Sequence, residues 1–295
     1  HATSDRGGNR GRRSGTAQRT ACPAHLRSQP AAGSTASVPR IRDTAMVEPI
    51  FASPIADTII QDVEKPLEEG GFAFLQAQSM QSVLECAGLI GWDTFAASWN
   101  DLGVDRYMAD GGRYRRRRYA TFSLTDETIT RKPHQPHYQS RDYNTLNGGI
   151  ERWFKPVLPA IGEHPALMAI LRLALRVITD MTPPQRRPRS WHTEIHQFRI
   201  EARPDAAGCP TPEGLHRDGV DWVFVVMVRR ENVARGETSI HDLNHKQVGS
   251  FTLTNPMDTA IVNDNRVYHG VTPVQPVDPD RPAYRDVLVV TLRHE

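Results

Sequence analysis

The chain has 295 residues, with 36 Lys plus Arg against 34 Asp plus Glu and a formal net charge of +2. That length buries a substantial core as one large domain or two small ones, and 38% hydrophobic with 24% charged residues excludes a disordered or fibrous chain. No apolar run approaches the roughly 20 residues of a membrane span, and Cys22, Cys86 and Cys209 contain no CxxC pair, which excludes a disulfide framework or a zinc ribbon. Such cysteine usage fits a reducing compartment, so a cytoplasmic protein is expected.

The charge is unevenly spread. Residues 1–45 hold eight Arg and two Asp, which leaves 28 basic and 32 acidic residues in 46–295: a +6 segment on a −4 body. Residues 1–45 are rich in Gly, Ser, Thr, Ala and Pro without a hydrophobic period, which predicts disorder. Met46 is the first methionine and opens MVEPIFASP. The expectation is therefore an upstream extension, outside the native protein, followed by a single domain over 46–295. The extension lacks the apolar region of a secretory signal, and its scattered Gly and Pro spoil a transit helix. A basic arm for nucleic acid is the remaining reading of it.

Along the body, ADTIIQDVEKPLEEG (56–70) has apolar residues at helical spacing and stops at Gly70-Gly71 despite Pro66. FAFL (72–75) reads as a short strand, 80–98 as helix with an internal Gly able to split it, and RYRRRRYATFSL (113–124) as a strand. Residues 134–143 form a polar, aromatic loop. ALMAILRLALRVIT (166–179) is the strongest helix, stopped by Thr182-Pro183-Pro184. From Trp191 the texture changes to short β-branched runs, WHTEIHQFRIEA, VDWVFVVMVRR, ETSIHDL, GSFTL, DTAIVND, HGVTPV and RDVLVVTLR, punctuated by Gly, Pro and Asn-Asp. Helices first and strands second predict an α+β fold: a β-barrel core over about 190–295 with N-terminal helices packed on one sheet.

The chemistry is concentrated in Gly214-Leu215-His216-Arg217-Asp218-Gly219. In an extended segment residues i and i+2 face the same side, so His216 and Asp218 present an imidazole and a carboxylate together. His269 in RVYHGVTPV, 53 residues on, is the best third donor. Two His and one carboxylate on one face leave the other metal positions open, as in the facial triad of non-haem Fe(II) oxygenases. An HxD alone is a weak signal. Arg285 opens the strand DVLVVTLR, where an inward guanidinium is costly unless a carboxylate pairs with it; Arg281 in the preceding turn is the reserve candidate.

Three stretches, GLHRDGVDWVFVVMV, RVYHGVTPV and AYRDVLVVTLR, resemble the bacterial 2-oxoglutarate/Fe(II) dioxygenase family that includes the L-isoleucine hydroxylases and biofilm- and stress-associated homologues. HQFRIEA (196–202) and EGLHRDGVD (213–221) carry the same resemblance, which covers most of 50–295. It implies a double-stranded β-helix, the jelly-roll or cupin-like barrel, with Fe(II), 2-oxoglutarate and O2 as cofactor and co-substrates. It maps the iron ligands onto His216, Asp218 and His269, and the 2-oxoglutarate carboxylate clamp onto Arg285. The implied partner is a small molecule, a free aliphatic L-amino acid, with no membrane or nucleic-acid partner expected. The alternative is a cupin-like metal or ligand-binding stress protein without oxygenase turnover.

Other features compete. His192, Glu194 and His196 share one strand face and form a rival metal set without an evident fourth contributor; the preferred reading sorts polar residues to that face and sends Ile195 and Phe198 to packing. Gln197 is placed near the co-substrate. The arginines of 113–119 divide between two faces, pairing with acidic residues or, at Arg117, gripping a substrate carboxylate, with Tyr143 of the loop as a second substrate contact. His134, His137 and Tyr138 lie in the same loop, as lid or as solvated residues, and His241 and His245 bracket a surface turn.

Overall fold

The computed structural model describes residues 51, 53–144 and 146–295; the expected disorder of 1–45 lies outside the described residues. Helix α1 (Pro54–Gly70) runs through Pro66 and ends where Gly71, at φ 77°, donates its N–H to the Leu67 carbonyl. The left-handed conformation that Gly tolerates turns the chain there into strand β1 (Phe72–Leu75). Helices α2 (Ala77–Cys86) and α3 (Trp92–Ala97) divide the helical stretch expected over 80–98 at its glycines, because Gly88 and Gly91 both sit at positive φ between them.

Strands β2 (Gly103–Val104), β3 (Arg115–Leu124) and β4 (Ile129–Arg131) precede the short α4 (Pro159–Gly162) and the long α5 (Pro165–Met181). The C-terminal half supplies β5 (Trp191–Ala202), β6 (Trp222–Glu231), β7 (Val233–Arg235), β8 (Thr238–Asp242), β9 (Gln247–Phe251), β10 (Thr259–Asn263), β11 (Val267–Val271), β12 (Val274–Pro276) and β13 (Ala283–His294). The main sheet runs β1-β10-β6-β13-β5-β3-β2, with β4 beside β3. Three-stranded β11-β8-β9 and two-stranded β12-β7 form the other layer of the double-stranded β-helix. β1 to β4 come from upstream of 190, so the barrel recruits more of the chain than its C-terminal third.

Strand parity decides what each face does. Phe122 and Leu124 of β3, Trp191 and Ile195 of β5, Phe224 and Val226 of β6, and Leu288, Val290 and Leu292 of β13 all point to the helical side. There they meet α5, which buries nine residues including Leu167, Ile170, Leu171 and Val177. Each such aliphatic side chain contributes roughly 1.5–3 kcal/mol on leaving water. The opposite parity, Arg115, Arg117 and Tyr119 of β3 with His192, Glu194, His196, Phe198 and Ile200 of β5, lines a cavity of about 620 Å³ between the layers. No helix among the described residues is long and apolar enough to cross a membrane.

Candidate active site

Segment 214–219 enters the cavity between two glycines, Gly214 and Gly219, both at φ 79°. At Gly219 the demand is also steric, since a Cβ would stand 2.5 Å from the Tyr143 ring. His216 pairs its backbone with His269 of β11 through two 3.0 Å hydrogen bonds, one in each direction. That antiparallel bridge sets the two imidazoles side by side, with ring centroids 4.5 Å apart. Asp218 faces both: His216 Nε2 lies 3.7 Å from Oδ1 and His269 Nε2 lies 3.4 Å from Oδ2. One donor atom from each of the three residues falls within 4.8 Å of the others.

Two further groups orient these donors. His216 Nδ1 is 3.0 Å from the Gly214 carbonyl, so it donates there and leaves Nε2 facing the cavity. The Asp264 carboxylate, from the loop after β10, accepts backbone N–H groups of Asp218, Gly219 and Val220 at 2.9, 2.7 and 3.2 Å. Burial and the nearby Asp218 charge push the Asp264 carboxyl up. Burial alone would also raise Asp218, but its hydrogen bonds and charge contacts with His216 and His269 hold it well below the ordinary carboxylate range. His216 resists the opposite pull of burial and is pushed up to about 9, chiefly by Asp218. A field that retains a proton on His216 also favours a divalent cation among the three donors. Two imidazoles and one carboxylate fit Fe(II) by donor type, in a set that leaves other coordination positions to small molecules.

In the same cavity, Arg285 of β13 is 3% exposed and its Nε has no hydrogen-bond partner among the described residues. Burial, with the like charge of Arg230, draws its guanidinium down to about 10. Such a group calls for an anion from outside the chain. A family model described as 2OG-Fe dioxygenase matches residues 96–291. The chain belongs to that family. Its members use Fe(II), 2-oxoglutarate and O2, and the cavity is lined by a His-Asp-His group that could hold a metal ion and by the buried Arg285.

Among relatives of this 2OG-Fe dioxygenase, L-isoleucine-4-hydroxylase from Bacillus thuringiensis is 26% identical over 160 residues, 54% of this chain and 65% of that one. The chain therefore spans just under two thirds of the Bacillus enzyme. The 3(1)-hydroxy-L-isoleucine 4-dioxygenase of Pantoea ananatis is 28% identical over 236 residues, 77% of this chain and 93% of that one. A crystal structure of a bsmA homolog from Methylobium petroleophilum PM1 superposes with a TM-score of 0.72 at 34% identity, covering 80% of this chain and 93% of the other.

Several expectations need correction. Gln197 does not reach the cavity: parity sends it to the helical side, where Nε2 donates to Ser98 Oγ at 2.8 Å. Phe198 is misassigned for the same reason, since it shares its face with His196 and lines the cavity while Ile195 packs in the core. Arg281 lies on the surface, paired with Glu231 at 3.0 Å. Tyr143 and Arg117 do line the cavity. The other arginines of β3 pair with acidic residues, Arg115 with Asp105 at 2.8 Å, Arg116 with Glu201 at 2.5 Å and Arg118 with Asp101 at 2.8 Å.

In the rival metal set the structure groups His137, from the loop, with Glu194 and His196 in place of His192. Its hydrogen bonds decide what it is. Arg117 can only donate, and its NH2 is 2.5 Å from His196 Nδ1, so that nitrogen accepts and neutral His196 carries its proton on Nε2. Nε2 then points its N–H at Glu194 Oε2, 3.5 Å away. Glu194 also accepts from Tyr119 Oη at 2.8 Å and faces His137 Nδ1 at 2.8 Å. Burial draws His137 down and His196 to about 3, while these donors hold Glu194 well below its ordinary range despite its own burial. The carboxylate is satisfied by protein donors, so the cluster is a hydrogen-bonded wall of the cavity and not a second metal centre. Sequence reasoning left His137 open as a lid or solvated residue and missed Asp264 and Tyr119 as parts of the site, because each acts through a contact with a distant segment that no local motif marks.

Proposed function

We propose that this dioxygenase hydroxylates an unactivated C–H bond of a small molecule, a free aliphatic L-amino acid, while 2-oxoglutarate is decarboxylated to succinate. His216, Asp218 and His269 would hold Fe(II), which when bound supplies the oxidising chemistry with O2. Arg285 would pair with the distal carboxylate of 2-oxoglutarate. That pairing would orient the co-substrate within the cavity that the three donors also line. Asp264 and the Gly214 carbonyl keep the donors oriented, and Val225, Val287 and Val289 give the cavity wall an apolar part. Arg117 and Tyr143 would contact the substrate.

The single observation that carries the reading is a His-Asp-His donor set facing the same cavity as a buried guanidinium without an anion. The amino-acid class is supported by the printed activities of the Bacillus and Pantoea relatives. Cys86 and Cys209 are both free thiols, which is in keeping with a cytoplasmic setting. The test is a screen of the twenty amino acids with Fe(II), 2-oxoglutarate and O2, reading succinate. Succinate above the substrate-free rate for an aliphatic amino acid, with a product one oxygen heavier, is the expected result. Metal binding without 2-oxoglutarate consumption for any substrate would instead favour a binding protein of the cupin type.

A further inference from the structure

Three buried guanidiniums in the cavity wall lack complete partners, and 2-oxoglutarate accounts for one. Its two carboxylate ends go to the metal and to Arg285 in the reading above, which leaves Arg117 and Arg152. Arg152, 2% exposed, forms no ion pair among the described residues; its one side-chain hydrogen bond is a 3.4 Å contact from NH2 to Gln139 Oε1, and its Nε has no partner. Arg117, 3% exposed, is 3.5 Å from Asp105, but that carboxylate is more tightly held by Arg115 at 2.8 Å. One acid thus serves two bases; Arg117 NH2 also donates to His196 Nδ1, and its Nε is without a partner among the described residues. Each of Arg115, Arg117 and Arg152 is reached by the field of another in the set, and burial draws both Arg117 and Arg152 down. Isolated like charges in a cavity are costly unless a ligand's anion completes them.

The same cavity holds the converse group. The Glu213 side chain is 11% exposed, its Oε1 lies 3.5 Å from His216 Nε2, and its Oε2 is buried without a hydrogen-bond partner among the described residues. Glu213 is also one of the two cavity carboxylates, with Glu194, whose charge acts on Arg152. Glu194 is already saturated by donors; Glu213 is not. An unfilled carboxylate beside the metal donors and unfilled guanidiniums in the same wall match a ligand that carries both a cation and an anion.

We propose that Arg152, with Arg117, receives the carboxylate of the substrate and that Glu213 receives its ammonium group, so the site selects an α-amino acid with both charges free. This rests on the dioxygenase reading above and adds to it the residues that determine specificity. It predicts that capping either end of the substrate costs binding, and that each cap is sensed by a different residue.

The experiment is calorimetric titration of the protein loaded with Mn(II) and 2-oxoglutarate, using L-isoleucine, L-leucine and L-valine, their N-acetyl derivatives and their amides. Free amino acids are expected to bind, with each cap weakening affinity about tenfold or more, the worth of one charge-assisted hydrogen bond. Arg152→Gln should weaken the free amino acid to a similar extent and the amide no further, with Arg152→Lys restoring part of the loss. Glu213→Gln should behave in the same way toward the N-acetyl derivative. Both variants should keep wild-type 2-oxoglutarate affinity, which also establishes that they fold, and Arg152→Gln should keep wild-type Mn(II) affinity as well. Equal binding of capped and free forms, or no binding of any of the three amino acids, would overturn the proposal. So would parallel loss of 2-oxoglutarate affinity in either variant, which would assign that residue to the co-substrate. Failure of the wild-type protein to bind 2-oxoglutarate would remove the dioxygenase reading and this proposal together.

Discussion

Arg285 and Asp264 illustrate two ways a single residue shapes this cavity, one by charge left open and one by charge spent on the backbone. Arg285→Gln removes the cation while retaining length and donors. The expected loss is about 1.5–3 kcal/mol of 2-oxoglutarate affinity, read as a raised KM for the co-substrate with the variant still folded. Arg281→Gln, at a surface pair with Glu231, should leave that KM unchanged. Asp264→Ala should weaken metal binding by about 10- to 100-fold, because three backbone N–H groups that fix Asp218 lose their acceptor; Mn(II) titration checks it. His216 and Asp218 are legible in the sequence because spacing and glycine punctuation mark them, and Arg285 because it opens a β-branched strand. Asp264 is not, since its value lies in a contact with a segment some 45 positions earlier.

At the scale of elements, the period-two rule accounts for most of the site. β5 and β13 were readable as strands from their β-branched texture, and their alternation assigns one face to the helices and the other to the cavity. The misplacement of Gln197 and Phe198 came from reading that alternation by residue chemistry when only parity applies: His196 faces inward, so Phe198 does too. The helix expected over 80–98 broke in two for a backbone reason, the positive φ at Gly88 and Gly91. α5 was the clearest element because its apolar residues cover most of its circumference. Ile170, fully buried against the sheet, is a fair test of that packing: Ile170→Ala should cost about 2–5 kcal/mol of unfolding free energy in a denaturant titration. Mn(II) affinity of the folded fraction should be unaltered, since the helix touches the opposite face of the sheet from the donors.

For the whole molecule, the sequence total of +2 averages a basic N-terminal segment with a −4 body, and the body places several of its arginines inside. Buried histidines make this arrangement sensitive to acid. The His196 value of about 3 lies below its ordinary 6.5, so the unfolded chain takes up a proton first as pH falls. The stability that His196 contributes is complete above about pH 6.5 and declines toward pH 3, by about 2 kcal/mol between pH 6.5 and 5. Glu194, held below its ordinary range, adds a loss of the same sign below about pH 4.5. Calorimetric Tm should therefore drop from pH 7 to pH 5, and His196→Asn should flatten that drop; a Tm independent of pH in this range would contradict the buried neutral assignment.

The account stands on Fe(II) and 2-oxoglutarate meeting at His216, Asp218 and His269. Anaerobic addition of both to the protein tests this most directly, because 2-oxoglutarate chelated to Fe(II) gives a charge-transfer absorption in the visible. The account predicts that band at one equivalent of each component, and its loss in His216→Ala and Asp218→Ala. No band in the wild-type protein, or a band that survives both substitutions, would contradict it.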